Sequence, residues 1–248
     1  MIWYSLGIIL ELIILWLLSR KLSQNLFVSI FLLTKSRPFA ISMLSLLFFP
    51  GTVIHELAHL FTAEILGVRT SGLTLVPESI EQKDVRTGSV SIAQSDPVRR
   101  AIIGIAPIFV GLGTLGILSY FLPGIWEQVQ LDIANDILFS NYSIYTLGLM
   151  IYALFAVSNT MFSSPEDMDG FWPVVSVITL LSVAAYIAGL RINLTEPALT
   201  NTISFFQSVA INLGYITGLN IILFIVSKGL ILIVEKITKR KLMSQPKQ

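Results

Sequence analysis

The chain reads as a series of long apolar runs separated by short polar stretches. A membrane-crossing helix needs about 20 predominantly apolar residues. Runs that meet or approach this length cover 2–19, 39–68, 98–122, 142–162, 171–190 and 203–234. A further run, 25–34, is too short to cross alone and either extends the first helix or lies at an interface. Pro50-Gly51 interrupts the second run and bends its helix. The last run exceeds one crossing, so it must tilt, protrude or break, with Gly214 and Gly218 as the break points. Between 68 and 96 the pattern changes. Leu73 and Leu75 alternate loosely with Thr74, and Val90 and Ile92 alternate with Ser89 and Ser91. With the polar stretch 78–87 between them, these segments predict a β-hairpin. The pattern as a whole predicts an all-α polytopic membrane protein of about six transmembrane helices, with a short β-hairpin after the second. Residues 1–238 form one membrane-embedded domain and 239–248 a basic tail, because linkers of about 30 residues or fewer are too short for a separate domain.

Composition supports the bilayer. Hydrophobic residues make up 54% of the 248 and charged residues 12%. That is about half the charged share of an ordinary soluble domain, too little to coat a water-facing surface. The first run lacks a basic leader and a small-residue cleavage site before Arg20 and Lys21, so it predicts a retained helix. A net charge of +1 excludes a strongly basic nucleic-acid binder. Basic residues in short loops set orientation. Lys236, Lys239, Arg240, Lys241 and Lys247 place the C-terminal tail in the cytoplasm, and Glu127, Asp132 and Asp136 place 123–141 outside. Six crossings then bring Arg69, Lys83, Arg86, Arg99 and Arg100 inside as well, while Arg20, Lys21, Lys35 and Arg37 fall outside, against the rule.

There is no cysteine, which excludes disulfides, thiolate metal sites and cysteine nucleophiles. The two histidines are His55 and His59, in the run His55-Glu56-Leu57-Ala58-His59. This is an H-E-x-x-H pattern. On a helix, residues four apart share a face one turn apart, so both imidazoles reach one Zn²⁺ while the glutamate reaches the metal-bound water. Two histidines scattered at random over this length fall four apart only about once in 125 chains. The plain alternative is a pair of hydrogen-bonded helix histidines. Their place inside an apolar run weighs against it, because ionisable groups inside a membrane helix are costly and are kept for function. Catalytic zinc takes three protein ligands and a water. Without cysteine or a third histidine, the third must be Asp or Glu: Glu11, Glu64, Asp167 or Asp169, with Glu166 beside the last two. Glu64 is five residues from His59, which turns it away from the pair and toward Arg69. Glu11 either lines a cavity or snorkels. Ser164, Pro165 and Asp167 also fit the start of a helix, a capping role that does not exclude ligation.

Three stretches together resemble the site-2 protease family of intramembrane zinc metallopeptidases: Phe49-Pro50-Gly51-Thr52-Val53-Ile54-His55-Glu56-Leu57-Ala58-His59, Gly104-Ile105-Ala106-Pro107, and Ser158-Asn159 through Gly170. The resemblance covers roughly 39–170. It implies a ligand aspartate eight residues after an asparagine, with prolines three and six after it and a glycine following the aspartate. From Asn159, Pro165 and Asp167 match, whereas Phe162 and Met168 depart. Asp169-Gly170 keeps the Asp-Gly pair but breaks the spacing, so Asp167 is favoured and Asp169 is the alternative. The resemblance also implies that Asn159 orients the substrate; the alternative for Asn159 is helix packing. The PDZ domain common in that family is not present in this sequence.

The expected function is an intramembrane zinc metalloprotease that hydrolyses peptide bonds in or near transmembrane segments. Zn²⁺ is held by His55, His59 and Asp167, and Glu56 is the general base. The partners are a membrane-anchored protein substrate and the bilayer. A catalytically inactive metal-binding scaffold is the first alternative. A transporter is weaker, because paired interrupted helices in two matching halves are missing. So is a zincin with a Glu ligand, for want of a downstream acidic helix motif.

Overall fold

In the computed structural model the described residues are 2–74, 89–93, 95–137, 139, 141–162, 171–189 and 195–238. They form helices α1 (Ile2–Thr34), α2 (Arg37–Ile65), α3 (Pro97–Ala134), α4 (Ser143–Thr160), α5 (Phe171–Ile187) and α6 (Glu196–Thr238), and strands β1 (Thr70–Thr74) and β2 (Ser89–Ile92). By length and composition, α2, α3, α4 and α6 are long and apolar enough to cross a membrane, consistent with a membrane protein. α5, with 17 residues, is apolar but shorter. Side chains such as Ile178, Leu180 and Leu181 on α5 and Ile222 and Ile225 on α6 are mostly exposed, an outer surface suited to lipid rather than water.

The helix boundaries follow from local chemistry. Ser36 caps α2, its Oγ accepting from the Phe39 N–H at 3.3 Å, and Pro38 occupies a first-turn position that needs no donor. Asp96 caps α3, its Oδ1 accepting from the N–H groups of Val98 at 3.1 Å and Arg99 at 3.0 Å. The backbone hydrogen bond from Arg99 holds that carboxyl below the usual carboxylate range. At the end of α2, Gly67 adopts φ +69°, and the Val68 N–H reaches back to the Ala63 carbonyl at 2.8 Å. This left-handed glycine cap folds Val68 onto Ala63 and Ile103. The chain then enters β1, which pairs antiparallel with β2 in the register Thr70↔Ile92, Leu73↔Val90 and Thr74↔Ser89. The one-residue slip between Thr70 and Leu73 falls at Gly72, φ +84°, where a left-handed bulge requires glycine. The connection 75–88 lies outside the described residues, so the expected hairpin is described only at its two strand ends.

Several boundaries differ from the sequence expectation. Residues 25–34 continue α1, which is the first of their two expected alternatives. α3 runs through Pro123 to Ala134, so much of the expected outer loop is helix. That helix end is joined to α4 by Asp132, which is 1% exposed and accepts from Ser143 Oγ, Asn141 Nδ2 and Gln128 Nε2. α6 is continuous through Gly214 and Gly218, starts earlier than expected, and is about 64 Å long at 1.5 Å per residue.

Contacts between helices fix their relative directions. Glu11 meets Gly214, and Asn25 Nδ2 donates to Ser227 Oγ at 3.0 Å, so α1 and α6 run parallel. Leu46 pairs with Tyr152, Phe48 stacks on Phe155 and His55 meets Thr160, so α2 and α4 run parallel too. His59 meets Ile103 near the start of α3, which makes α2 and α3 antiparallel. α1, α2, α3, α4 and α6 thus alternate in direction. The α1–α2 turn, with Lys35 and Arg37, shares one end of the bundle with Lys236. Arg69, Arg99 and Arg100 lie at the opposite end. We call these the turn end and the sheet end.

Close approach of α2 and α4 depends on Gly51. A Cβ there would strike Thr160 Oγ1 and the Ala156 backbone carbonyl. Gly51→Ala is expected to lower stability by about 1–3 kcal/mol through overpacking, whereas Gly113→Ala, with open space around it, is neutral or stabilising; thermal unfolding in detergent measures the difference. The topology has its own check in this cysteine-free chain. The pair Asn25→Cys and Ser227→Cys is expected to cross-link, and single cysteines at Lys35 and Lys236 to label from one side of the membrane with Arg69→Cys labelling from the other. Labelling of all three from one side overturns the arrangement.

Candidate metal centre

His55 and His59 lie on α2, nearer its sheet end: His55 stands ten residues before Ile65, about 15 Å along the axis. Their four-residue spacing places the rings one above the other, with centroids 4.8 Å apart and planes 80° to each other. His55 Nδ1 lies 2.7 Å from the Thr160 carbonyl oxygen on α4. His59 Nδ1 lies 2.9 Å from the Ile103 carbonyl oxygen on α3. A carbonyl oxygen only accepts, so both Nδ1 atoms carry the proton and donate. The remaining nitrogens, both Nε2, face each other at 3.1 Å.

That arrangement has a chemical consequence. In two neutral rings protonated at Nδ1, both Nε2 atoms present lone pairs, which repel at this distance. A cation shared by both nitrogens relieves that repulsion. Two imidazole nitrogens bound to one tetrahedral zinc ion stand roughly 3.3 Å apart, from a Zn–N length of about 2.0–2.1 Å. Metal-bound histidines characteristically donate their other ring N–H to a carboxylate, a backbone carbonyl or water. The donor set therefore fits a divalent metal such as zinc by spacing and by tautomer. Glu56, between the two histidines in sequence, is 6% exposed, and His59 is 4% exposed.

The other candidate residues divide. Glu64 is exposed and borders, with Arg69, a surface pocket at the end of α2, away from the histidines. Glu11 packs in the α1–α6 seam against Gly214, and its Oε2 is buried without a hydrogen-bond partner. Asp167 and Asp169, the expected third ligand and its alternative, lie outside the described residues, as does Glu166. Among the described residues no group of three His, Asp or Glu side chains is gathered for one ion.

Asn159 sits one residue before Thr160, whose carbonyl holds His55. Its Nδ2 donates to the Phe155 carbonyl and to Asn220 Oδ1, both at 2.8 Å. Asn220, 1% exposed on α6, donates in turn to Ser158 Oγ at 2.9 Å and to the Ile216 carbonyl at 3.0 Å. Two acceptors at its nitrogen fix which way the Asn159 amide points, and its Oδ1 is buried without a partner. Sequence reasoning missed Asn220. The signal was there, since an asparagine inside an apolar membrane run marks a polar contact between helices.

No protein family, curated protein or solved structure matches the chain.

Replacing Asn220 with Leu removes the bond to Asn159 and leaves the Ser158 and Asn159 polar groups to find other partners. Asn220→Leu is expected to destabilise by about 0.6–2 kcal/mol, the range of polar contacts between membrane helices, measured by unfolding in detergent against Asn201→Leu near the exposed start of α6.

Proposed function

We propose that this protein is an intramembrane zinc metalloendopeptidase, similar to the site-2 proteases, acting on membrane-anchored protein segments. The observation that carries this reading is the facing of the two Nε2 atoms at 3.1 Å with both Nδ1 atoms held by backbone carbonyls. His55, His59 and Asp167, with Asp169 as the alternative, would hold the ion. Zinc bound there would supply a Lewis acid for the scissile carbonyl and an acidified water. Glu56 follows His55 directly and takes the proton of the attacking water, later passing it to the leaving amine. Its burial in an apolar helix keeps the proton transfer away from bulk water.

A helical substrate has no free backbone donors or acceptors and must unwind before it can be cut. The unpartnered Oδ1 of Asn159 suits an N–H of the unwound segment. The β1–β2 pair at the sheet end presents strand edges to which an extended segment can add by main-chain hydrogen bonds. Both features lie toward the same end of the bundle as the histidines.

The purified protein is expected to contain about one zinc per chain and to cut a reporter bearing a membrane segment. His55→Ala and His59→Ala lose the zinc. Glu56→Gln keeps it and lowers cleavage by about 100-fold or more, the usual contribution of a general base. Zinc retained together with unchanged cleavage in Glu56→Gln sinks the mechanism. Zinc without cleavage in the unaltered protein instead identifies an inactive metal-binding scaffold.

A further inference from the structure

An α-helix normally consumes its own carbonyls, each accepting from the N–H four residues later. A carbonyl in mid-helix is therefore a poor acceptor for a side chain from a neighbouring helix. Ile103 lies well inside α3, which begins at Pro97, yet its carbonyl accepts from His59 Nδ1 at 2.9 Å. The residue four positions on is Pro107, fully buried, which has no N–H to donate. The carbonyl of Thr160 is available to His55 for a different reason: Thr160 ends α4. The same device recurs at Pro50, where the Leu46 carbonyl four residues earlier receives the Tyr152 hydroxyl at 3.4 Å.

We infer that Pro107 is a positioning residue for the metal centre: by deleting one amide hydrogen it dedicates the Ile103 carbonyl to His59, fixing the Nδ1–H tautomer and aiming Nε2 at the ion. The inference rests on the zinc reading for its function, but the hydrogen bond can be tested without metal. An N–H at position 107 would compete for the Ile103 carbonyl, and His59 would be free to carry its proton on either nitrogen. Pro123, the second proline in α3, lies sixteen residues further along the helix. It serves as the control for the general effect of removing a helix proline.

The test compares the full-length protein with Pro107→Ala and Pro123→Ala. The first readout is the histidine ring ¹⁵N spectrum of the metal-free protein, where two histidines give two assignable sets. His59 is expected to shift from the Nδ1–H form toward a mixture in Pro107→Ala alone, with His55 unchanged. A merely structural role for the proline would disturb both rings or neither. The second readout is zinc affinity by chelator competition. Pro107→Ala is expected to bind about 10–100-fold more weakly, as for loss of other partners that orient a metal ligand, and Pro123→Ala to bind as the unaltered protein does. An unchanged His59 tautomer in Pro107→Ala overturns the inference. A shifted tautomer in a protein that never binds zinc upholds the positioning of His59 and removes the zinc reading instead.

Discussion

The structure turns on two hydrogen bonds, from the Nδ1–H groups of His55 and His59 to backbone carbonyls on two other helices. Each bond demands a carbonyl that its own helix does not use. One is supplied where α4 stops and the other where Pro107 removes a donor. Much of the surrounding packing serves that demand. Gly51 lets α2 approach α4 closely enough for His55 to reach Thr160. The Gly67 cap turns the chain so that Val68 and Ala63 pack on Ile103, the residue whose carbonyl receives His59. The outcome is a pair of imidazoles in one tautomer, with their second nitrogens converging.

A bundle in lipid has little to gain from burying apolar side chains against one another, since the surroundings are equally apolar. Close backbone approach and interhelical hydrogen bonds must hold it together. The contacts found here are of that kind. Gly51 faces α4, Gly111 faces Met161, Asn25 bonds to Ser227, and Ser158, Asn159 and Asn220 form a chain between α4 and α6. The Ser158–Asn159–Asn220 chain lies beside Thr160, so the contact that joins α6 to α4 also steadies the residue that holds His55. Structural polarity and the candidate chemistry therefore share one level of the bundle.

Much of this was legible in the chain. Apolar run length showed where helices form, and the H-E-x-x-H spacing alone made a two-histidine site on one helical face predictable, because that geometry is local. Asn159 was visible as a polar residue in an apolar run, and so was Asn220, although its partner was not. Boundaries were less legible where a helix ran on past its apolar part. α3 continues through Pro123, and α1 continues through Arg20 and Lys21, because helical hydrogen bonding does not stop at a change of polarity.

The sequence by itself determined the apolar character of the chain, the helices and the pairing of His55 with His59, since these depend on composition and on residues a few positions apart. Only the tertiary structure decided which carbonyls receive the two rings, which helices run parallel and which end of the bundle carries the β strands. Those depend on groups more than forty residues apart, from His59 to Ile103 and from His55 to Thr160. Pro107 shows the division in one residue. Its lack of an N–H is plain in the sequence, but the carbonyl it frees has a purpose only once α3 lies against α2.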